Sequence, residues 1–327
     1  YWEAERSFRQ VAKLDPECGM AFWGMAMANG GNESRAKGFL AKAVALKDGL
    51  SDREKLWLRV LEHFYEDDKR DKKQRALDAI RDFEAIVQKH PKDVEAKAFL
   101  VWKIWHGKGE APISSPMAVN ALLDQLFELD PVHPAHHYRI HLWDGFQPDQ
   151  ALASAAACGP SSPAIAHMWH MPGHIYSKLK RFDDAAWQQA ASSCVDHAYM
   201  RRNLLLPDQI HNYAHNEEWL VRTYNDLGRA NDAISLARSL IAIPRHPELN
   251  HLDKSNSTSS YGRTRLIDTL VKWELWDTLI AFSQSPWLDT QAPPAHQTRR
   301  LRDLASACFA KQNADGLAAV EQELLKL

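Results

Sequence analysis

Apolar residues recur along this 327-residue chain at intervals of three and four, and alternation with a period of two is hard to find. The first spacing puts side chains on one face of a helix, whereas the second would mark a half-buried strand. Alanine, leucine and arginine, all good helix formers, are plentiful between the breakers. The pattern therefore predicts helix nearly throughout. Segments 1–16, 76–91 and 118–131 each end at a proline (Leu14-Asp15-Pro16, Lys89-His90-Pro91, Leu129-Asp130-Pro131), and new helices are expected over 17–29, 94–106 and 136–144. Proline drives the residue before it out of the helical region, so each ending is a built-in stop. Helix pairs repeated in this way bury their core by stacking on their neighbours.

Two stretches interrupt the pattern. Residues 199–213 are expected to lengthen one connection. Residues 242–262 are polar and rich in breakers, and are read as a binding loop or lid. The end of the chain, about 263–327, is expected to cap the array.

Composition narrows the function more than the fold. The formal net charge is -2, which gives no electrostatic case for nucleic acid or an anionic membrane surface. No apolar run approaches the ~20 residues of a membrane span. The four cysteines (Cys18, Cys158, Cys194, Cys308) are far apart, form no CxxC, and are read as structural thiols. The chain opens at Tyr1, inside a helix, so processing or trimming is expected and the compartment stays open. There is no Gly-rich phosphate loop, G-x-S-x-G elbow or HExxH motif.

Histidine is where the composition becomes specific. Of the sixteen, ten lie between 133 and 215. Nine of them form three sets: His133, His136, His137 and His141, with His137 and His141 an i, i+4 pair; His167, His170 and His174; and His211 and His215. Each set has the i, i+3 or i, i+4 spacing that offers imidazoles from one helix face to a common ion. Pro172 and Gly173 break the local helix rules inside the middle set, as residues at a functional or strained site often do. Asp144, Asp208 and Glu218 are the candidate carboxylates for orienting or joining these ligands. Tyr138, Tyr176 and Tyr213 lie close by in sequence and are candidates for hydrogen-bonding a substrate. Trp143 and Trp169 are the two tryptophans read as walls of a site.

The repeating residues resemble the tetratricopeptide repeat. Trp169, Gly173, Tyr176 and Ala185 fall at that family's positions within 166–197, as do Leu220, Tyr224, Gly228 and Ala233 within 214–245. Pro172 replaces the family leucine. The resemblance implies an all-α, right-handed superhelix of antiparallel helix pairs, one solenoid over 1–327 with histidine-rich central repeats at 133–225. In its register His167, His170, His174 and His215 fall at positions that line the concave groove, while His137 and His141 fall one step off. The chain also resembles a group of bacterial tetratricopeptide proteins that share H-Y-x-I-H-x-x-D, H-M-P-x-H-I and a later histidine. Here these are His137 to Asp144, His170 to Ile175, and His211. That resemblance bears on fold and grouping of residues, not on a reaction.

Three readings follow. The favoured one is a transition-metal site in the groove, copper ahead of zinc or iron, with an open coordination position for oxidative or, less favoured, hydrolytic chemistry on a small molecule. The second is a groove that binds a peptide or protein partner with no catalysis. The third is histidines that merely pack and cap.

Overall fold

The computed structural model describes residues 2–66, 70–248, 256–288 and 294–327, and all regular structure among them is helical. The chain falls into two compact units, residues 1–138 and 139–327. The first holds α1 (Trp2–Leu14), α2 (Gly19–Ala28), α3 (Glu33–Ala45), α4 (Asp52–Tyr65), α5 (Lys72–Lys89), α6 (Val94–His106) and α7 (Pro116–Leu129); α8 (His136–Trp143) spans the boundary. The second holds α9 (Leu152–Ser161), α10 (Ala166–Lys178), α11 (Phe182–Asn203), α12 (His211–Asp226), α13 (Ala230–Ala242), α14 (Thr258–Lys272), α15 (Trp276–Ser283), α16 (Pro294–Ala310) and α17 (Ala314–Leu324). Within each unit helices pack on their sequence neighbours, as stacked hairpins must.

The proline stops act as expected. His90 and Asp130, each just before a proline, leave the helical region (φ -129°, ψ 72° and φ -141°, ψ 91°) and close α5 and α7. The first unit's core is aromatic. The Trp57 ring meets those of Trp23, Phe83 and Phe99 edge to face at 5.0–5.4 Å, and the Trp23 indole N–H donates to the Trp57 carbonyl.

One turn recurs in the second unit, at Leu204, where the Leu205 N–H donates to the Met200 carbonyl, and at four further positions. Lys180, Gly228, Glu274 and Gln312 all have φ between 50° and 75°, each just past a helix end. The residue after each donates its N–H to the carbonyl five positions back: Arg181 to Tyr176, Arg229 to Tyr224, Leu275 to Leu270, Asn313 to Cys308. This closure satisfies the last carbonyls of a helix and reverses the chain. Only one of the four is glycine; for the others the left-handed conformation costs roughly 1–2 kcal/mol, which the packed hairpin offsets. The repeat residues recur in place: Arg181 lies over Tyr176 and Arg229 over Tyr224, and Ala185 and Ala233 are fully buried. At Gly262 a Cβ would lie 2.8 Å from the Ala237 carbonyl, so α14 crosses α13 where only glycine fits.

Two expectations shift. The connection predicted over 199–213 is shorter, because α11 runs on to Asn203 and a left-handed Leu204 ends it before α12 starts at His211. Of the expected lid, 249–255 lie outside the described residues, and from Thr258 the rest is α14. No helix of the described residues is long and apolar enough to cross a membrane.

Candidate metal centre

α10 and α12 bring His170, His174 and His215 together, with one ring nitrogen of each within 4.8 Å of the others. His170 and His174 are one helical turn apart, and their Nε2 atoms are 2.9 Å apart. α11 passes behind this pair and α14 buttresses α12 through Glu218. The helix runs through Pro172, which removes the donor for the Met168 carbonyl but leaves the two imidazoles on one face.

What lies behind each ring decides its chemistry. His170 is only 1% exposed. Its Nδ1 faces Gln189 Oε1 at 2.8 Å and Asn216 Oδ1 at 3.0 Å. The Asn216 amide is oriented by donating to the Gln189 carbonyl and Ser193 Oγ, so its oxygen is the atom that meets the ring. Both neighbours of Nδ1 are acceptors. The proton must therefore sit on Nδ1, which leaves a lone pair on Nε2 aimed at His174. His174 has Asp144 Oδ2 3.8 Å behind its Nδ1, and Asp144 is held by Lys178 at 2.7 Å. His215 has Glu218 Oε1 3.3 Å behind its Nδ1, and Arg265 anchors that carboxylate from 2.5 Å. Only His170 is hydrogen-bonded from behind, the arrangement that points the front nitrogen of a ligand histidine at an ion; at His174 and His215 a carboxylate lies near the rear nitrogen.

Burial sets the protonation. It pushes His170 down to about 3, with His174 adding to the effect. It also pushes His174 down to about 4 against the pull of Asp144. Burial opposes ionisation of Glu218, but His215 and Arg265 outweigh it and hold the carboxyl below its ordinary range. At neutral pH the first two rings are therefore uncharged, and His174 Nε2–H donates to His170 Nε2; with the His174 proton moved to Nδ1 the two lone pairs would face a common ion. An ion with bonds of 2.0–2.1 Å in tetrahedral geometry needs about 3.3 Å between donors, a small opening of the present pair.

Only some of the other predicted residues lie beside this set. His167 is exposed, its ring 5.8 Å from His170, and its Nδ1 faces Asn212 Oδ1 at 3.3 Å. His141 lies 6.5 Å from His167, ring to ring. His211 is exposed and stacks on His215 at 5.5 Å. His137 is half-buried on α8, one turn before His141, with the Tyr138 ring 5.7 Å away. Asp208 is directed elsewhere: its carboxylate accepts from the His246 N–H and from Thr258 Oγ1. Tyr176 is buried under Arg181, and burial pushes Tyr213 up to about 12.

Four residues of the site were missed. Trp219, not Trp143 or Trp169, forms its wall, stacking on His174 at 4.4 Å under Arg222. Trp143 is fully buried, and Trp169 packs on Gly159 and Trp187. Trp219 is one turn beyond His215, so the 211, 215, 219 spacing could have found it. Gln189 and Asn216 orient His170 and carry no sequence signal. Tyr261, on α14, lies 6.3 Å from His215 and 6.4 Å from His211.

No family model and no curated protein matches the chain. Among solved structures it is similar to PilF of Pseudomonas aeruginosa at 12% identity, TM-score 0.42, over 71% of this chain and 92% of that one. It is also similar to the tetratricopeptide domain of P58(IPK) at 14% identity, TM-score 0.27, over 98% and 87%. With yeast Tom70 the values are 11%, 0.31, 99% and 81%. Likeness of this degree carries nothing about what the chain binds. Among the described residues the chain is all-α and built of stacked helix hairpins, and its repeat residues resemble those of the tetratricopeptide family.

Proposed function

We propose that the chain binds one transition metal ion, copper or zinc, through His170, His174 and His215. One observation carries this reading: three imidazoles converge within 4.8 Å, the most buried of them held from behind by two amide oxygens. Three imidazole nitrogens, with amide oxygens behind His170 and carboxylates near the rear of His174 and His215, suit copper and zinc. A ferrous site of the common kind would want a carboxylate among the ligands, and Asp144 and Glu218 face the rear nitrogens instead. Three protein ligands leave a further coordination position, where a bound ion polarises a substrate oxygen or activates water. Trp219 closes one side of that position, and Tyr261 and His211 are the polar groups beyond His215.

The test is elemental analysis of protein purified without a His-tag or nickel resin. About one equivalent of copper or zinc is expected, absent from His170→Ala and His174→Ala while their helical circular dichroism is unchanged. A chain that carries no metal and takes up neither ion when offered it overturns the proposal. The histidines would then be polar contacts for a peptide, and capture of a protein partner would be the property they control.

A further inference from the structure

The first unit holds a cavity of about 560 Å³ bordered by Leu61, Phe64, Tyr65, Trp102, Lys103 and His106, with the Asn29–Asn32 turn at its edge. Its size is that of a small-molecule pocket. The lining is aromatic: Phe64 and Tyr65 meet edge to face at 5.0 Å, and Trp102 and His106 stack at 5.4 Å. One charge faces this surface. The Lys103 ammonium lies between two rings, 4.6 Å from the centroid of Phe64 and 4.8 Å from that of Trp102.

A cation in such a place ordinarily has a counter-ion. Elsewhere in the unit Lys47 pairs with Glu62 at 2.9 Å and Arg53 with Asp93 at 2.6 Å, while the buried Lys97 donates to Gln125 Oε1 at 3.2 Å. Lys103 has no carboxylate partner among the described residues, and ring faces alone offset its loss of water. Burial pushes it down to about 8, consistent with an ammonium that lacks an anion. The turn beside it contributes small side chains, since a Cβ at Gly31 would meet no atom within 4 Å, so the approach is open.

We infer that this cavity binds a small planar monoanion, an aromatic or similarly flat carboxylate, with the Lys103 ammonium on its carboxylate and the rings of Phe64, Tyr65 and Trp102 against its body. The flat walls select the body and the single cation selects the charge. The site uses no residue of the histidine cluster, so it stands or falls independently of the metal reading.

Benzoate is the probe, with benzyl alcohol as its neutral counterpart, titrated calorimetrically into the full chain. Benzoate should bind one to one and should lose about tenfold or more in affinity in Lys103→Met, the usual size of a charge-assisted hydrogen bond, while Lys103→Arg retains most of it. Benzyl alcohol should bind at least about tenfold more weakly. Binding should persist in His170→Ala, which separates the cavity from any metal-held carboxylate. The unsubstituted protein gives a second readout: benzoate, but not benzyl alcohol, should slow acetylation of Lys103 by acetic anhydride, followed by peptide mass spectrometry. Absence of saturable benzoate binding, binding unchanged in Lys103→Met, or equal protection by benzyl alcohol would each overturn the inference.

Discussion

The first unit's core and the α10–α12 seam solve the same packing problem with opposite chemistry. Around Trp57 the helices meet through rings and aliphatic groups, with Leu58, Phe83 and Ile86 almost wholly out of water. Between α10, α11 and α12 the buried side chains include His170, Gln189, Ser192, Asn216 and Glu217. Hydrophobic contact is non-directional, so a ring cluster tolerates small shifts; a buried amide or imidazole is stable only where its partner is in place. One region should therefore fail by losing stability, the other by losing geometry.

The largest effect is expected where the packing is all apolar. Trp57→Ala removes the ring shared by Trp23, Phe83 and Phe99 and should cost about 3–5 kcal/mol of stability. Metal content per folded molecule should not change. Urea unfolding with elemental analysis of the folded fraction checks both; a loss of metal in that variant would show that the two regions are not separable.

Gly173→Ala should do the reverse. Its Cβ would sit 2.2 Å from Gln189 Nε2, the amide whose oxygen faces His170 Nδ1. The amide is the far end of a flexible side chain and can swing aside. Alanine also favours helix by up to about 1 kcal/mol over glycine, so stability should barely move. Metal affinity should fall about tenfold or more, the usual effect of losing a ligand's rear partner. Competition with a chromogenic chelator measures it; unchanged affinity would mean that Asn216 alone orients His170.

This difference also explains what could be read from the residues alone. The hairpins were legible because their signals are local: proline stops, the 3.6-residue period, and the Tyr176 and Tyr224 repeats. The i, i+4 spacing of His170 and His174 was legible for the same reason. The partners were not. Gln189 is nineteen residues from His170 and Asn216 forty-six, and any polar residue on those helix faces would look the same in the chain. Asp144 and Glu218 sit within one helical turn of a histidine motif, so spacing alone brings them forward as candidates. Asp208 was chosen by the same proximity, yet it ties the His246 backbone to Thr258, a contact across fifty residues that no spacing reveals.

A pH-dependent effect concerns a buried acid beside the seam. Burial pushes Asp196 up to about 6 from an ordinary 3.8, against the hydrogen bond it accepts from Asn212 Nδ2. Burial also raises Glu217 on α12, despite its Ser193 hydrogen bond, and Asp196 adds to that effect. A carboxyl raised on folding stabilises the fold fully below its unfolded pKa and loses that contribution as pH rises through the folded value. Asp196 should therefore weaken the protein progressively between about pH 4 and pH 6. Asp196→Asn keeps an oxygen for Asn212 and never ionises. It should match the parent near pH 4 and exceed it by up to about 3 kcal/mol at pH 8, with the gap opening across that interval. Urea unfolding at pH 4, 6 and 8 decides the matter. A gap that is constant with pH would mean the acid contributes through packing alone. A variant less stable at pH 8 would mean its charge is held by a cation, and that the seam is more polar at this point than its burial implies.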